Sequence, residues 1–241
     1  MATAKKPPLM GSRVARRTLE GRNRIEFFRV FEAMDTAERQ YNALDTLYNT
    51  EDPNRTKDAR AARYGEQFRK AHALVGKLSA DAASGLDKLE RELIADAEHR
   101  AGLNKPMTEA AMQEIRSALR AMPAKERDAT LRQAALTGDV GILKAVREAP
   151  SSFLYGGTGE PVESLVQQHI ERAVPELRDE LEAIEHAFSH LKLSADGFMR
   201  EAEKMRDPVA EQRAQAQAEQ IRQAEAALEQ RAVEGAGADE G

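Results

Sequence analysis

Apolar residues recur along this chain at intervals of three and four, which is the spacing of one face of an α-helix. The residues between them are largely Ala, Glu, Arg and Gln, which also favour helix. No run of alternating β-branched residues bounded by turn residues interrupts the pattern, so strands are not expected. The pattern predicts an all-α, elongated protein in which two long coiled-coil-like helical regions flank a small three-helix unit.

The first long region, residues 19–103, is predicted to be a hairpin of two long helices. A polar connector containing Pro53 ends the first helix, because proline cannot continue it. Three glycines in the second helix are expected either to break it or to allow another backbone to approach closely. The first helix carries an aromatic-rich stripe with heptad spacing, made of Phe27, Phe31, Met34, Tyr41 and Tyr48.

Residues 107–154 are predicted to form the compact three-helix unit. Thr108 is a favourable N-cap for its first helix. Gly138 is suited to a left-handed C-terminal cap, and Asp139 to the N-cap of the helix that follows. Short connections between short helices indicate that this segment packs on itself.

The second long region, residues 161–207, is predicted to be one long helix that kinks or breaks near Ala173, because Pro175 lies inside it. Residues 208–241 form an Ala/Gln/Glu-rich tail with Ile221 and Leu228 as its apolar anchors and a disordered end. The heptad-like stripe of the long helix consists of Val166, Ile170, Leu177, Leu181, Ile184, Phe188 and Leu191.

Long helices with narrow apolar stripes bury little core per residue, and such chains often complete their core by self-association. We therefore expect a homo-oligomer, with the members of the two stripes as the candidate self-association residues. Base stacking is the alternative role for the aromatic stripe, but helical stripes of this spacing are typical of cores.

Charge is distributed unevenly along the sequence. Residues 1–29 carry a net charge of +6, whereas the remainder carries −11. Residues 1–18 are predicted to be a disordered basic arm that either contacts nucleic acid or remains solvated. The candidate nucleic-acid-binding residues are Lys5, Lys6, Arg13, Arg16, Arg17, Arg22 and Arg24.

Candidate chemistry is sparse. The chain has no cysteine, which excludes disulfides, thiolate metal sites and cysteine nucleophiles. His186 and His190 lie four residues apart on a predicted helix, with Glu182 four residues earlier, a spacing that suits a metal but is common on solvated helix faces. The glycine-rich segment 151–161 lacks the Gly-Lys-Ser/Thr ending of a phosphate loop and predicts a flexible hinge. No cofactor and no enzymatic activity are predicted, and a metal-dependent helical-bundle enzyme centred on His186 and His190 is the less favoured alternative.

One segment resembles a known group of proteins. Residues 115–154 contain a short helix, a Met-Pro restart, a Gly-Asp turn and a helix that ends in Ala-Pro. This order is similar to a segment of uncharacterised proteins encoded by tailed bacteriophages and prophages. The resemblance implies a phage gene product and transfers no functional residue.

Together these observations predict a non-enzymatic structural or assembly protein, either a virion component or a scaffold. Its expected partners are a second copy of itself and capsid or other virion proteins, with nucleic acid as an alternative partner. No apolar run approaches the roughly 18 residues of a membrane span, and the N-terminus lacks the apolar segment of a secretory signal. The expected location is the host cytoplasm or the virion.

Overall fold

The computed structural model describes residues 23–238, with side chains described as far as Glu229. Within those residues the protein is all-α, with eight α-helices, one short 3₁₀ turn and no strand, as the sequence predicts. The helices are α1 (Ile25–Asn49), α2 (Lys57–Arg100), α3 (Glu109–Ala121), α4 (Ala124–Thr137), α5 (Val140–Arg147), α6 (Val162–Ala173), α7 (Glu176–Glu203) and α8 (Pro208–Ala238). The 3₁₀ turn spans Ser152–Leu154.

Single residues determine where several helices begin and end. The Thr108 side chain accepts a hydrogen bond from the Ala111 amide at the start of α3, and Asp139 does the same for Ile142 at the start of α5. Gly138 ends α4 in a left-handed conformation, with φ of 78°. These three predicted caps are confirmed.

The predicted break near Ala173 is also confirmed. Helix α6 ends at Ala173 and α7 begins at Glu176, so the region predicted as one kinked helix is two helices. Pro175 causes the break, because it lacks an amide hydrogen and its ring clashes with the preceding turn. By contrast, α2 runs without interruption through its three glycines.

The helices form two compact units. The central unit is Gly85–His186, and the terminal unit contains the residues up to Ser84 and those from Ala187 onward. Helices α2 and α7 each contribute one part to each unit. The central unit is therefore larger than the predicted three-helix segment, because α3, α4 and α5 share their core with α6 and with parts of α2 and α7.

The core of the central unit is aliphatic, and Leu131, Leu143 and Leu165 have no exposed surface. A buried arginine joins two of its helices. Arg116 on α3 is 3% exposed, and its Nε donates a 2.6 Å hydrogen bond to the carbonyl oxygen of Ala145 on α5. This bond satisfies a carbonyl near the end of α5, where intrahelical donors run out.

The segment 151–161 belongs to the central unit and is held by side chains of α4. Arg127 Nε donates to the Gly157 carbonyl at 2.7 Å, and the Gly159 amide donates to Asp128 Oδ1 at 3.1 Å. Gly156 adopts a φ of 88°, which favours glycine. These contacts correct the predicted hinge: the segment is a turn fastened to its own unit.

The terminal unit has a mixed aromatic and aliphatic core. Helix α1 contributes Tyr41 and Leu44, and α7 contributes Phe198 and Ala202. Helix α2 contributes Tyr64, Phe68, Ala71 and Val75. The exposed part of α8 extends from this unit.

Candidate interaction site

Helix α8 is attached to the terminal unit by an ion-pair cluster around a buried carboxylate, which we call the anchor and define as Arg69, Arg206 and Glu211. The Glu211 side chain is 4% exposed. Arg206 donates to both of its carboxylate oxygens, from Nε and from Nη2, each at 3.0 Å. Arg69 Nη1 donates to the second oxygen at 3.3 Å. The two-pronged geometry fixes the position of the first turn of α8.

The surroundings of Arg206 favour its charged form. Hydrogen bonds to Glu211 raise the pKa of the guanidinium further, and Glu203 adds a smaller effect of the same sign. The guanidinium also lies over the Phe68 ring, 5.0 Å from its centroid. Arg206 therefore connects the end of α7, the start of α8 and the aromatic core.

Gly65 on α2 makes room for the anchor. A Cβ at this position would lie 2.2 Å from the Glu211 carboxylate carbon. Only glycine allows the carboxylate to press against the helix backbone here. This is one of the two roles expected for the glycines of α2.

Tyr64, the neighbour of Gly65, fastens α2 to the end of α7. Its hydroxyl donates a 2.8 Å hydrogen bond to the Ala202 carbonyl, and the residue is 4% exposed. Burial raises the pKa of the phenol well above its usual 10, and nearby Tyr41 and Asp45 raise it further.

We expect Tyr64→Phe to lower the free energy of unfolding by about 1 kcal/mol at neutral pH, because it removes this hydrogen bond. Since the folded-state pKa is raised, the phenol contributes stability that is complete below the unfolded pKa and is lost as the pH rises above about 10. The deficit of the variant should therefore shrink in alkali, which urea titrations at several pH values will measure. Tyr48→Phe, at an exposed position of α1, is the control. A deficit that stays constant up to about pH 11 would contradict this account.

From Gln215 to Glu229, α8 has no packed face. Every side chain from Gln215 to Glu229 is exposed, and we call these fifteen residues the tail segment. Ile221 is 58% exposed and Leu228 is 66% exposed. They are seven residues apart and so lie on one side of the helix. An apolar stripe on a helix that packs against nothing is the kind of surface that binds another helix.

Most of the predicted self-association residues lie elsewhere, in the cores of the two units. Phe31, Leu181 and Phe188 are partly buried, and Tyr48 is exposed at 57%. These residues therefore do not lie on one surface. Most members of both stripes pack inside the two units and stabilise the fold of the single chain. The members that are less than 9% exposed are Phe27, Met34, Tyr41, Val166, Ile170, Leu177, Ile184 and Leu191.

The predicted nucleic-acid-binding residues fall almost entirely outside the described residues. Lys5, Lys6, Arg13, Arg16, Arg17 and Arg22 precede residue 23, as does the predicted disordered arm, 1–18. Arg24 is described and exposed, directly before α1. Binding of nucleic acid by this arm stays a prediction.

The two histidines proposed as metal ligands lie on α7. His186 is half-exposed, and its Nε2 lies 3.6 Å from Glu182 Oε1, as the helical spacing predicts. His190 is partly buried one turn later. Between residues 23 and 238, no group of three or more His, Asp or Glu side chains is arranged to hold a metal ion.

The anchor was not predicted from the sequence, although the sequence contains one signal for it. Asp207 caps the start of α8 by accepting a hydrogen bond from the Ala210 amide at 3.0 Å. A cap followed by Pro208 marks a helix start, so the residues on either side of it are close in space. That places Arg206 and Glu211 within reach of each other, but it cannot reveal Arg69.

No protein-family model, curated protein or solved structure matches this chain. None of the helices described between residues 23 and 238 combines the length and apolarity needed to cross a membrane.

Proposed function

We propose that this protein is a non-enzymatic structural or assembly protein that acts by helix–helix association through the tail segment. The observation that carries the proposal is the exposure of fifteen consecutive helical residues with Ile221 and Leu228 on one side. Most of the stability of a helix in a protein comes from packing its apolar face. A second helix on this stripe would supply that packing.

The anchor supports the same proposal. Hydrogen bonds from Arg206 and Arg69 to the buried Glu211 carboxylate position the first turn of α8 before any partner binds. A preorganised helix loses less conformational entropy on association than a disordered segment does. The tail segment is therefore suited to binding another helix.

We infer a role in a virion or its assembly from the resemblance of residues 115–154 to proteins of tailed phages. A scaffold or an internal virion component would meet copies of itself and capsid-type proteins in the host cytoplasm or in the particle. Both kinds of partner present helices or grooves that an exposed apolar stripe can enter.

The test replaces both apolar residues of the tail segment, Ile221 and Leu228, in the full-length chain. We expect the double variant Ile221→Gln/Leu228→Gln to weaken self-association by about 100-fold or more, because each buried aliphatic side chain contributes about 1.5–3 kcal/mol. Light scattering coupled to gel filtration will measure the mass of each variant over a dilution series.

Ala226→Gln, on the opposite side of the same helix, is the matched control and should associate like the wild type. Circular dichroism will confirm that each variant remains helical. Equal self-association of the double variant and the wild type would refute the proposal.

A further inference from the structure

The terminal unit has a groove between α1 and α2 that nothing among the described residues fills. Its volume is about 550 Å³. Its apolar lining consists of Ala43, Leu44, Leu47, Ala71 and Leu74. Leu74 is 41% exposed, so the groove opens to solvent with an aliphatic side chain at its edge. A concave apolar surface between two helices is a common binding site for a third helix.

The dimensions of the groove match the tail segment. Its lining on α2 extends from Arg63 to Leu74, which lie eleven positions apart, or about 16 Å at 1.5 Å per residue. Ile221 and Leu228 are seven residues apart, or about 10 Å along the helix axis. Both apolar residues of the stripe therefore fit within the length of one groove.

The charges of the two surfaces are complementary. Arg63 and Lys70 are the charged residues that line the groove, and both are basic; Lys70 also pairs with Glu66 at 2.6 Å. The tail segment has a charge of −2, from Glu219, Arg222, Glu225 and Glu229. Opposite charges on the two surfaces favour encounter and fix orientation.

A chain cannot place its tail segment in its own groove. Helix α8 starts against Gly65 and Arg69 of α2, where the anchor holds it. At about 100° per residue, Gly65 lies about 200° around the helix from Arg63, on the side away from the groove. Because α8 is one continuous helix, it has no bend that would bring the tail segment back to that face. A tail segment that fills the groove must therefore come from another molecule.

We propose that the groove between α1 and α2 binds the tail segment of a second copy of this chain. This inference rests on the proposed function and names the surface to which the tail binds. Reciprocal insertion by two copies forms a closed dimer, whereas one-way insertion forms an open chain of copies. The mass distribution over a dilution series distinguishes these two assemblies.

Cross-linking tests the contact directly, and the absence of cysteine simplifies the experiment. A tagged Gln67→Cys chain, with the cysteine in the groove, is mixed with an untagged Ala224→Cys chain, with the cysteine beside the tail stripe. We expect a mixed disulfide on mild oxidation. Two controls should give at least tenfold less of this mixed disulfide. One places the first cysteine outside the groove, with Ala73→Cys, and the other places the second cysteine opposite the stripe, with Ala226→Cys. A dominant disulfide between two Ala224→Cys chains would overturn the groove as the binding surface and identify pairing of tail with tail.

A groove variant supplies the second readout. Leu74→Glu adds a negative charge where the acidic tail would lie, so we expect it to weaken self-association at least tenfold in sedimentation velocity. Ala73→Glu, exposed on the same helix but outside the groove lining, should associate like the wild type. Circular dichroism should show both variants to be as helical as the wild type.

The outcomes separate this inference from the proposed function. If Leu74→Glu associates normally while Ile221→Gln/Leu228→Gln does not, the groove is not the binding surface and the proposed function stands. If the wild type is monomeric at all concentrations, both are overturned.

Discussion

Arg206→Leu is expected to lower the free energy of unfolding by about 3 kcal/mol, because it leaves the buried Glu211 carboxylate without its main partner. The Glu211 side chain is 4% exposed, so water cannot replace the two lost hydrogen bonds. Arg69 Nη1 still lies 3.3 Å from Glu211 Oε2 in this variant. The expected loss of unfolding free energy is therefore at the lower end of the range for a broken buried ion pair. Urea denaturation followed by circular dichroism will measure it.

Arg200→Leu is the matched control, since Arg200 on α7 forms an ion pair with Glu201 at 3.1 Å but has a side chain that is 71% exposed. An exposed pair contributes less than about 1 kcal/mol, so this variant should unfold almost as the wild type does. Arg206→Leu/Glu211→Leu should recover most of the loss, because it removes both charges. A loss in the double variant as large as in Arg206→Leu would show that the uncompensated carboxylate is not the cause.

Gly65→Ala is expected to destabilise the protein by about 2 kcal/mol, within the range for overpacking, although alanine favours helix more than glycine does. The added Cβ would lie 2.2 Å from the Glu211 carboxylate carbon. A free glutamate could rotate away at little cost, but this one is buried and held by two arginines. Its displacement breaks the hydrogen bonds of the anchor.

Gly76→Ala on the same helix should have the opposite sign. Nothing lies within 4 Å of a Cβ added there, so the substitution keeps the full helix-propensity gain of about 1 kcal/mol. The two variants therefore differ by about 3 kcal/mol for the same chemical change in one helix. If denaturation shows that both stabilise the protein, the close packing of Glu211 against α2 is wrong.

Helix ends are the feature of this fold that follows most directly from the sequence. Thr108, Gly138 and Asp139 each act on their own backbone neighbours, and Pro175 breaks the helical pattern at its own position. These effects are local, so reading residues in order is enough to predict them. The end of the tail is the exception: disorder was predicted there, whereas α8 continues to Ala238, and residues 239–241 lie outside the described residues.

Sequence periodicity does not show how the helices divide between two cores. Leu86 and Val75 belong to the same stripe of α2, yet the boundary between the terminal and central units passes between them, after Ser84. A continuous helix carries no sequence signal at such a boundary. The heptad spacing of Phe27, Met34 and Tyr41 likewise fits burial within one chain as well as burial between chains.

The candidate site was predictable only in part, for a related reason. Ile221 and Leu228 can be recognised in the sequence as the apolar residues of a polar helix. The anchor joins Glu211 to Arg69, which lies 142 residues earlier in the chain. Such a contact depends on how α2, α7 and α8 pack, and periodicity contains no information about that packing.

Sedimentation equilibrium of the unmodified full-length chain, from micromolar to tens of micromolar concentration, tests the central claim most directly. We predict a reversible increase in mass above that of the monomer, caused by association through the tail segment. A single species with the mass of the monomer at every concentration would contradict it.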